Sequence, residues 1–258
     1  MEIAKNNDIY IYFIEALISK ENTNRVEYIR AGYEEGQMTL EIKTITTHFI
    51  FNNYVNCYLV STGDGYILID TGMPNKRGVI EKELENAGCQ PGNLKLIVLT
   101  HGDFDHAGNA AYLREKFDTR IAMNYNDSGM AEHGDMFWNR KNPNIVIRII
   151  FGLFFGLSKS ERFNPDLNIE DGYDFSGYGF DAKVLQLPGH SRGSIGILTD
   201  DGNLFCGDLL ANINKPKIFS IIDDSRAANT SIEKLKSLKI NTVYPGHGKP
   251  FPMSSFNK

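Results

Sequence analysis

Thr100-His101-Gly102-Asp103-Phe104-Asp105-His106-Ala107-Gly108-Asn109 joins an apolar run, Leu94-Lys95-Leu96-Ile97-Val98-Leu99, to a segment from Gly108 to Phe117 that reads as a helix. The run itself reads as a buried β-strand. Four side chains able to bind a metal, His101, Asp103, Asp105 and His106, therefore fall within six residues on one strand-to-helix loop. A strand on one side and a helix on the other let such a loop hold its side chains in fixed positions. Imidazole and carboxylate together suit zinc, iron or manganese. Taken alone, the loop also reads as a polar turn with two solvated histidines.

Three later stretches favour the metal reading. Pro188-Gly189-His190-Ser191 follows Val184–Leu187, Cys206-Gly207-Asp208 follows Asn203–Phe205, and Pro245-Gly246-His247-Gly248 follows Thr242–Tyr244. Each is a short apolar run that ends in a glycine-flanked ligand type, so four strand ends can deliver His or Asp to one sheet edge. From Thr39 to Gly248 this pattern resembles the metallo-β-lactamase superfamily, whose signature is T-H-x-H-x-D-H followed by a separate His, Asp and His. The resemblance implies an α/β fold, a four-layer αββα sandwich of the metallo-β-lactamase type with the active site at one edge of the two sheets.

By that resemblance His101, Asp103 and His190 hold one metal, Asp105, His106 and His247 hold a second, and Asp208 bridges them. Asp70, at the end of the run Ile67-Leu68-Ile69, orients a ligand histidine. The expected cofactor is two divalent metal ions, zinc first, with iron or manganese as alternatives. The expected enzyme is a binuclear hydrolase whose metal-bridging hydroxide, oriented by the catalytic Asp105, attacks an ester, thioester, lactone or phosphodiester. A metal-activated hydroxide of this kind needs no serine or cysteine nucleophile.

One position departs from the family pattern. Asp103 makes the loop H-x-D-x-D-H where the family usually has H-x-H-x-D-H. A more anionic first site leans toward iron or manganese. It also keeps open a non-haem iron oxidoreductase, di-iron as in the flavodiiron reductases. If Asp103 binds no metal, a mono-iron centre as in the persulfide dioxygenases stays open.

The bulk properties fit this reading. The chain has 258 residues, 41% hydrophobic and 23% charged, with a formal net charge of -5. That composition supplies a real core but no overall basic field for nucleic acid, so a small-molecule substrate is expected. Cys57, Cys89 and Cys206 form no pair by spacing, which points to a reducing compartment. Lys5, Asp8 and Glu15 interrupt any secretory signal, and no run reaches the roughly 18 apolar residues of a membrane span. A cytoplasmic location is expected.

Along the chain, residues 1–37 read as an N-terminal extension, either dispensable or a dimerisation arm, and residues 38–258 as the metallo-β-lactamase-like domain. Runs Leu40–Thr46, Tyr54–Ser61 and Tyr66–Ile69 read as strands, with a hairpin at Thr62-Gly63-Asp64-Gly65. Lys76–Ala87 and Ser225–Leu238 read as helices. Residues 124–179 form an insertion whose apolar stretch Ile145–Leu157 reads as a lid for a hydrophobic substrate, or else as a core helix or homodimer contact. His133, Trp138, Arg140 and Lys141 lie in the same insertion and read first as structural, with substrate contact as the alternative. The segment Ser191-Arg192-Gly193-Ser194 is a weak candidate for holding a substrate anion. Cys206 reads as a small buried hydrophobe that strand alternation points to the same side as Asp208.

Overall fold

The computed structural model describes residues 25–29, 40–50, 53–140 and 156–256 of the protein. The first part runs through β1 (Arg25–Ile29), β2 (Ile42–Ile50), β3 (Asn53–Thr62), β4 (Gly65–Ile69), α1 (Arg77–Asn86), β5 (Leu94–Val98), α2 (Phe104–Ala107), α3 (Ala110–Phe117), β6 (Ile121–Met123), α4 (Tyr125–His133) and β7 (Leu167–Asn168). The second part runs through β8 (Ala182–Gln186), β9 (Ile195–Thr199), β10 (Asn203–Asn212), β11 (Lys217–Ile218), α5 (Ser225–Lys236), β12 (Thr242–Gly248) and β13 (Phe251–Pro252).

The strands pair in the order β7-β6-β5-β4-β3-β12-β10-β9-β8, with β2 on β3, β1 on β2, β11 on β10 and β13 on β12. Between β3 and β12 the register rests on a single pair, His247 opposite Val55. By contrast, β3 pairs with β4 over five residues and with β2 over eight. The assembly therefore bends at that seam into two sheets, and His247 stands at the seam itself.

Burial resolves the layers. In β4, Ile67 and Ile69 join one core cluster while Leu68 joins another, and in β5 Leu96 and Val98 separate from Ile97 in the same way. Both faces of these strands are covered, which is why their sequences are continuously apolar instead of alternating. The middle cluster combines Ile69, Val98 and Tyr58 of the first sheet with Val184, Ile197 and Phe205 of the second. An outer cluster packs Ile80 and Leu84 of α1 and Leu113 and Phe117 of α3 on the first sheet. The opposite outer cluster packs Ala228, Ile232 and Leu235 of α5 on Leu204, Leu210 and Val243. Helix, sheet, sheet, helix is the resulting stack, the fold expected from the resemblance.

Helix α5 shows how locally such an element is specified. Asp224 accepts hydrogen bonds from the backbone N–H groups of Arg226 and Ala227, both at 3.0 Å, and so caps the helix start. Ala228, Ile232 and Leu235 then recur at helical spacing on the buried face. Burying Ile232 and Leu235 contributes about 1.5–3 kcal/mol each.

Two details differ from the sequence expectations and one adds to them. The helix expected from Gly108 begins at Ala110, and the separate turn α2 inside the ligand loop carries Asp105 and His106. Within the segment read as an extension, Arg25–Ile29 pairs antiparallel with Ile42–Thr46 of β2. Register shifts flank Gly207 in β10, so the alternation expected to align Cys206 with Asp208 is broken there. Cys206 is buried among Leu187, Leu204 and Leu209. Residues 145–155 of the apolar stretch and Lys141 lie outside the described residues, whereas Leu157 is buried beside the Phe163 layer.

Candidate metal centre

His101, Asp103, Asp105, His106, His190, Asp208 and His247 are all buried and converge at one place. Three sets of ligand atoms lie within 4.8 Å of one another: His101–Asp103–His190, His101–His106–Asp208 and Asp105–His106–His247. The turn α2 begins where the extended backbone of Asp103 accepts from the N–H groups of His106 and Ala107 at 2.9 and 2.8 Å. The Asp103 side chain takes no part in this cap and is left to face His190.

The ring orientation of each histidine follows from what its Nδ1 touches. His106 Nδ1 lies 2.9 Å from Asp70 Oδ2, His190 Nδ1 2.7 Å from the Ile221 carbonyl, and His247 Nδ1 2.9 Å from the Tyr54 carbonyl. These partners can only accept, so each Nδ1 carries the proton. Thr100 Oγ1 donates to Asp70 Oδ2 at 2.8 Å, so it accepts from His101 Nδ1 at 3.0 Å. All four rings therefore aim Nε2 at the centre, the arrangement by which outer partners prepare histidines for a metal.

Asp70 coordinates this arrangement. Its carboxylate also accepts the Thr100 backbone N–H at 2.8 Å, and its own backbone adopts φ 59, a left-handed geometry that Asp tolerates better than most residues. Asn56 and Tyr58 hold the other side. Both donate to the Pro245 carbonyl, at 3.0 and 2.6 Å, and so secure the strand end that presents His247. At Gly246 no side chain is tolerable, because a Cβ would collide with Asp208 Oδ1 and the His106 ring.

The electrostatics favour a cation. Asp208 reaches His106 at 3.4 Å, His247 at 3.2 Å, and His101 and His190 at 3.9 Å each. Asp105 lies 3.6 Å from His247 and 3.9 Å from His106. Burial opposes charge on His106 and His247, but Asp208, Asp105 and, for His106, Asp70 outweigh it and raise both imidazoles above their usual range. Burial, reinforced by His106 and His190, holds His101 well below that range. Burial also raises Asp105, whereas His247 and His106 overcome burial and keep Asp208 low. His101 Nε2, His106 Nε2 and Asp208 Oδ1 are buried without a hydrogen-bond partner among the described residues. Each such orphan costs about 1–3 kcal/mol unless a cation or proton satisfies it. The donor set thus fits a metal ion.

Arg140 enters the same space. Its Nη2 lies 2.7 and 2.8 Å from the two Asp103 carboxylate oxygens and 3.3 Å from His190 Nε2. Asp103 is driven well below the usual carboxylate range, because Arg140 and the neighbouring histidines overcome the penalty of burial. The sequence placed Arg140 in the insertion and read it as structural, and no local motif ties it to a position 37 residues away.

Other expectations resolve differently. The Ser191–Ser194 turn has no backbone N–H aimed at an anion from Ser191 or Gly193. Gly193 N–H donates to Asp127 at 2.7 Å, Ser191 N–H to Ser194 Oγ at 3.0 Å, and Arg192 is exposed. Those two donors are thus engaged within the protein. Asp127, on α4, also accepts from Ser191 Oγ at 2.5 Å and Gly102 N–H at 3.3 Å, tying the His101 loop to the His190 loop. Phe219 stacks on His247 with ring centres 4.8 Å apart and planes 8° apart. Neither Asp127 nor Phe219 lies in a pattern that sequence reading would select. His133 and Trp138 stack on each other at 3.8 Å, and His48 packs edge-on against Tyr54.

A buried four-histidine, multi-carboxylate cluster of candidate metal ligands thus sits at the seam of the αββα sandwich. The chain belongs to the metallo-β-lactamase superfamily, whose family model matches residues 51–247. It is 25% identical to the probable metallo-hydrolase YflN of Bacillus subtilis over 88% of this chain and 89% of that protein. It is 27% identical to the acyl-coenzyme A thioesterase MBLAC2 of Bos taurus, over 77% of this chain and 75% of that one. It is 30% identical to hydroxyacylglutathione hydrolase 1 of Vibrio vulnificus, covering 60% of this chain and 48% of that relative. Among solved structures, TTHA1623 in a di-iron-bound form superposes with a TM-score of 0.63 at 27% identity, covering 79% of this chain and 92% of that one. No helix among the described residues is long and apolar enough to cross a membrane.

Proposed function

We propose that the protein is a metal-dependent hydrolase whose first substrate class to test is a thioester, with esters, lactones and phosphodiesters following. One observation carries the reading: four histidines whose Nδ1–H groups are already committed turn Nε2 toward three buried carboxylates. His106, His247, Asp105 and Asp208 would hold an ion, and His101, Asp103 and His190 form a second cluster of ligand types beside it. A divalent ion bound there supplies a water that is nucleophilic at neutral pH and a positive charge beside the oxygen under attack. Asp105, buried beside His106 and His247, would be the carboxylate placed to hold a proton next to such an ion.

The thioester preference is supported by the relatives named as a hydroxyacylglutathione hydrolase and an acyl-coenzyme A thioesterase. Zinc is the first metal to test. Iron chemistry is the second reading, supported by the carboxylate at Asp103 and by the di-iron-bound structural relative. Three buried, unpaired cysteines support a reducing, cytoplasmic setting.

The test is hydrolysis of a panel of acyl thioesters by protein as purified, after chelation, and after return of zinc, manganese or ferrous iron. The expected result is loss of the rate on chelation and recovery with one of these metals. A rate indifferent to chelation and to His247→Ala would overturn the proposal.

A further inference from the structure

Arg140 is an arginine among metal ligands. Its side chain is 8% exposed, and its Nη2 stands against both Asp103 oxygens and His190 Nε2, which are two of the three groups of the first ligand set. His190 Nδ1 holds its proton on the Ile221 carbonyl, so in the neutral ring Nε2 is an acceptor. That Nε2 and Asp103 Oδ2 lie 3.0 Å apart. Two acceptors at that distance repel unless a positive charge serves both, and the guanidinium supplies one.

The second set differs. Among the described residues, the ion-pair partners of Asp105 and Asp208 are all histidines. With neutral imidazoles, its two carboxylates amount to a charge of about -2, matched by one divalent ion. In the first set the single carboxylate of Asp103 is already balanced by Arg140. A divalent ion taking the same Asp103 and His190 atoms would be pressed against that guanidinium in a buried, weakly screened place.

We infer that Arg140 is the resident cation of the first ligand set: it and a first-set metal ion exclude each other, so the protein carries one metal ion, in the second set. This rests on the metal-centre reading above. It adds that the Asp103 substitution and the arginine act as a pair, the carboxylate recruiting the guanidinium where the family pattern has a neutral histidine.

The experiment is a zinc titration of the chelator-treated full chain, with zinc per chain measured by elemental analysis after gel filtration. The wild type is expected to retain one equivalent, and Arg140→Ala two. If Arg140→Ala does not fold, Arg140→Gln, which keeps much of the side-chain volume without the charge, reads the same quantity. Two equivalents in the wild type would overturn the exclusion while leaving the metal centre intact. So would one equivalent in both the wild type and the folded neutral variant. No zinc, manganese or iron retained by the wild type would instead overturn the metal-centre reading itself, and this inference with it.

Discussion

The two ligand sets are built from the same kinds of residue but are furnished differently. His101, Asp103 and His190 meet a guanidinium that touches two of them, whereas the ion-pair partners of Asp105 and Asp208 among the described residues are all histidines. The outer support differs too. His106 rests on the Asp70 carboxylate, while His190 rests on a neutral carbonyl. A motif that lists ligands treats the two sets as equivalent. The contrast teaches that the charge already present beside a ligand set decides whether it attracts a divalent ion.

The largest effect should come from Asp208, whose carboxylate lies within 3.9 Å of all four histidines. Asp208→Ala is expected to abolish metal retention and hydrolysis, read by elemental analysis and thioester turnover. A full equivalent of metal surviving that change would show that the second set stands without its bridge.

Next is the pairing itself. Asp103→Ala removes the carboxylate paired with the buried Arg140 and should cost about 3–5 kcal/mol in the chelated protein. Asp103→Ala combined with Arg140→Ala should cost less than the sum of the two single changes, measured by urea unfolding. Strict additivity would dissolve the distinction between the sets.

Asp70→Asn retains a residue that tolerates the left-handed backbone but removes the charge behind His106. It should weaken metal affinity about 10–100-fold at the second set. Equal metal affinity in variant and wild type would mean that the carboxylate support is irrelevant.

The smallest expected effect concerns Phe219, stacked on His247. Phe219→Ala should remove about 1 kcal/mol of ring contact, raising KM for apolar acyl substrates more than it lowers kcat. A change confined to kcat would place Phe219 in the support of His247 instead of the substrate wall.

Much of the centre was legible because its residues occupy short glycine-flanked motifs at strand ends. His190, Asp208 and His247 each follow an apolar run, and close backbone approach demands the glycine, as at Gly246. The strands were legible because runs such as Ile67–Ile69 and Leu96–Val98 are buried on both faces. The Ser191–Ser194 turn was misleading: its donors looked free in the sequence, but Asp127, more than sixty residues away, consumes the Gly193 N–H. The charge argument at Asp103 was incomplete for the same reason, since Arg140 offsets the added negative charge.

By itself, the sequence showed the strands and the glycine-flanked ligand types at their ends, because strand burial and tight turns leave local signatures. The resemblance of those motifs to a known family implied the superfamily, its layers and the seven candidate ligands. Tertiary structure alone decided the tautomer of each histidine, the seam at His247 and Val55, and the placement of Arg140 on Asp103. Those depend on electrostatic and hydrogen-bond partners brought together from distant segments, and a pairing across 37 or 189 residues leaves no periodic signal in the chain.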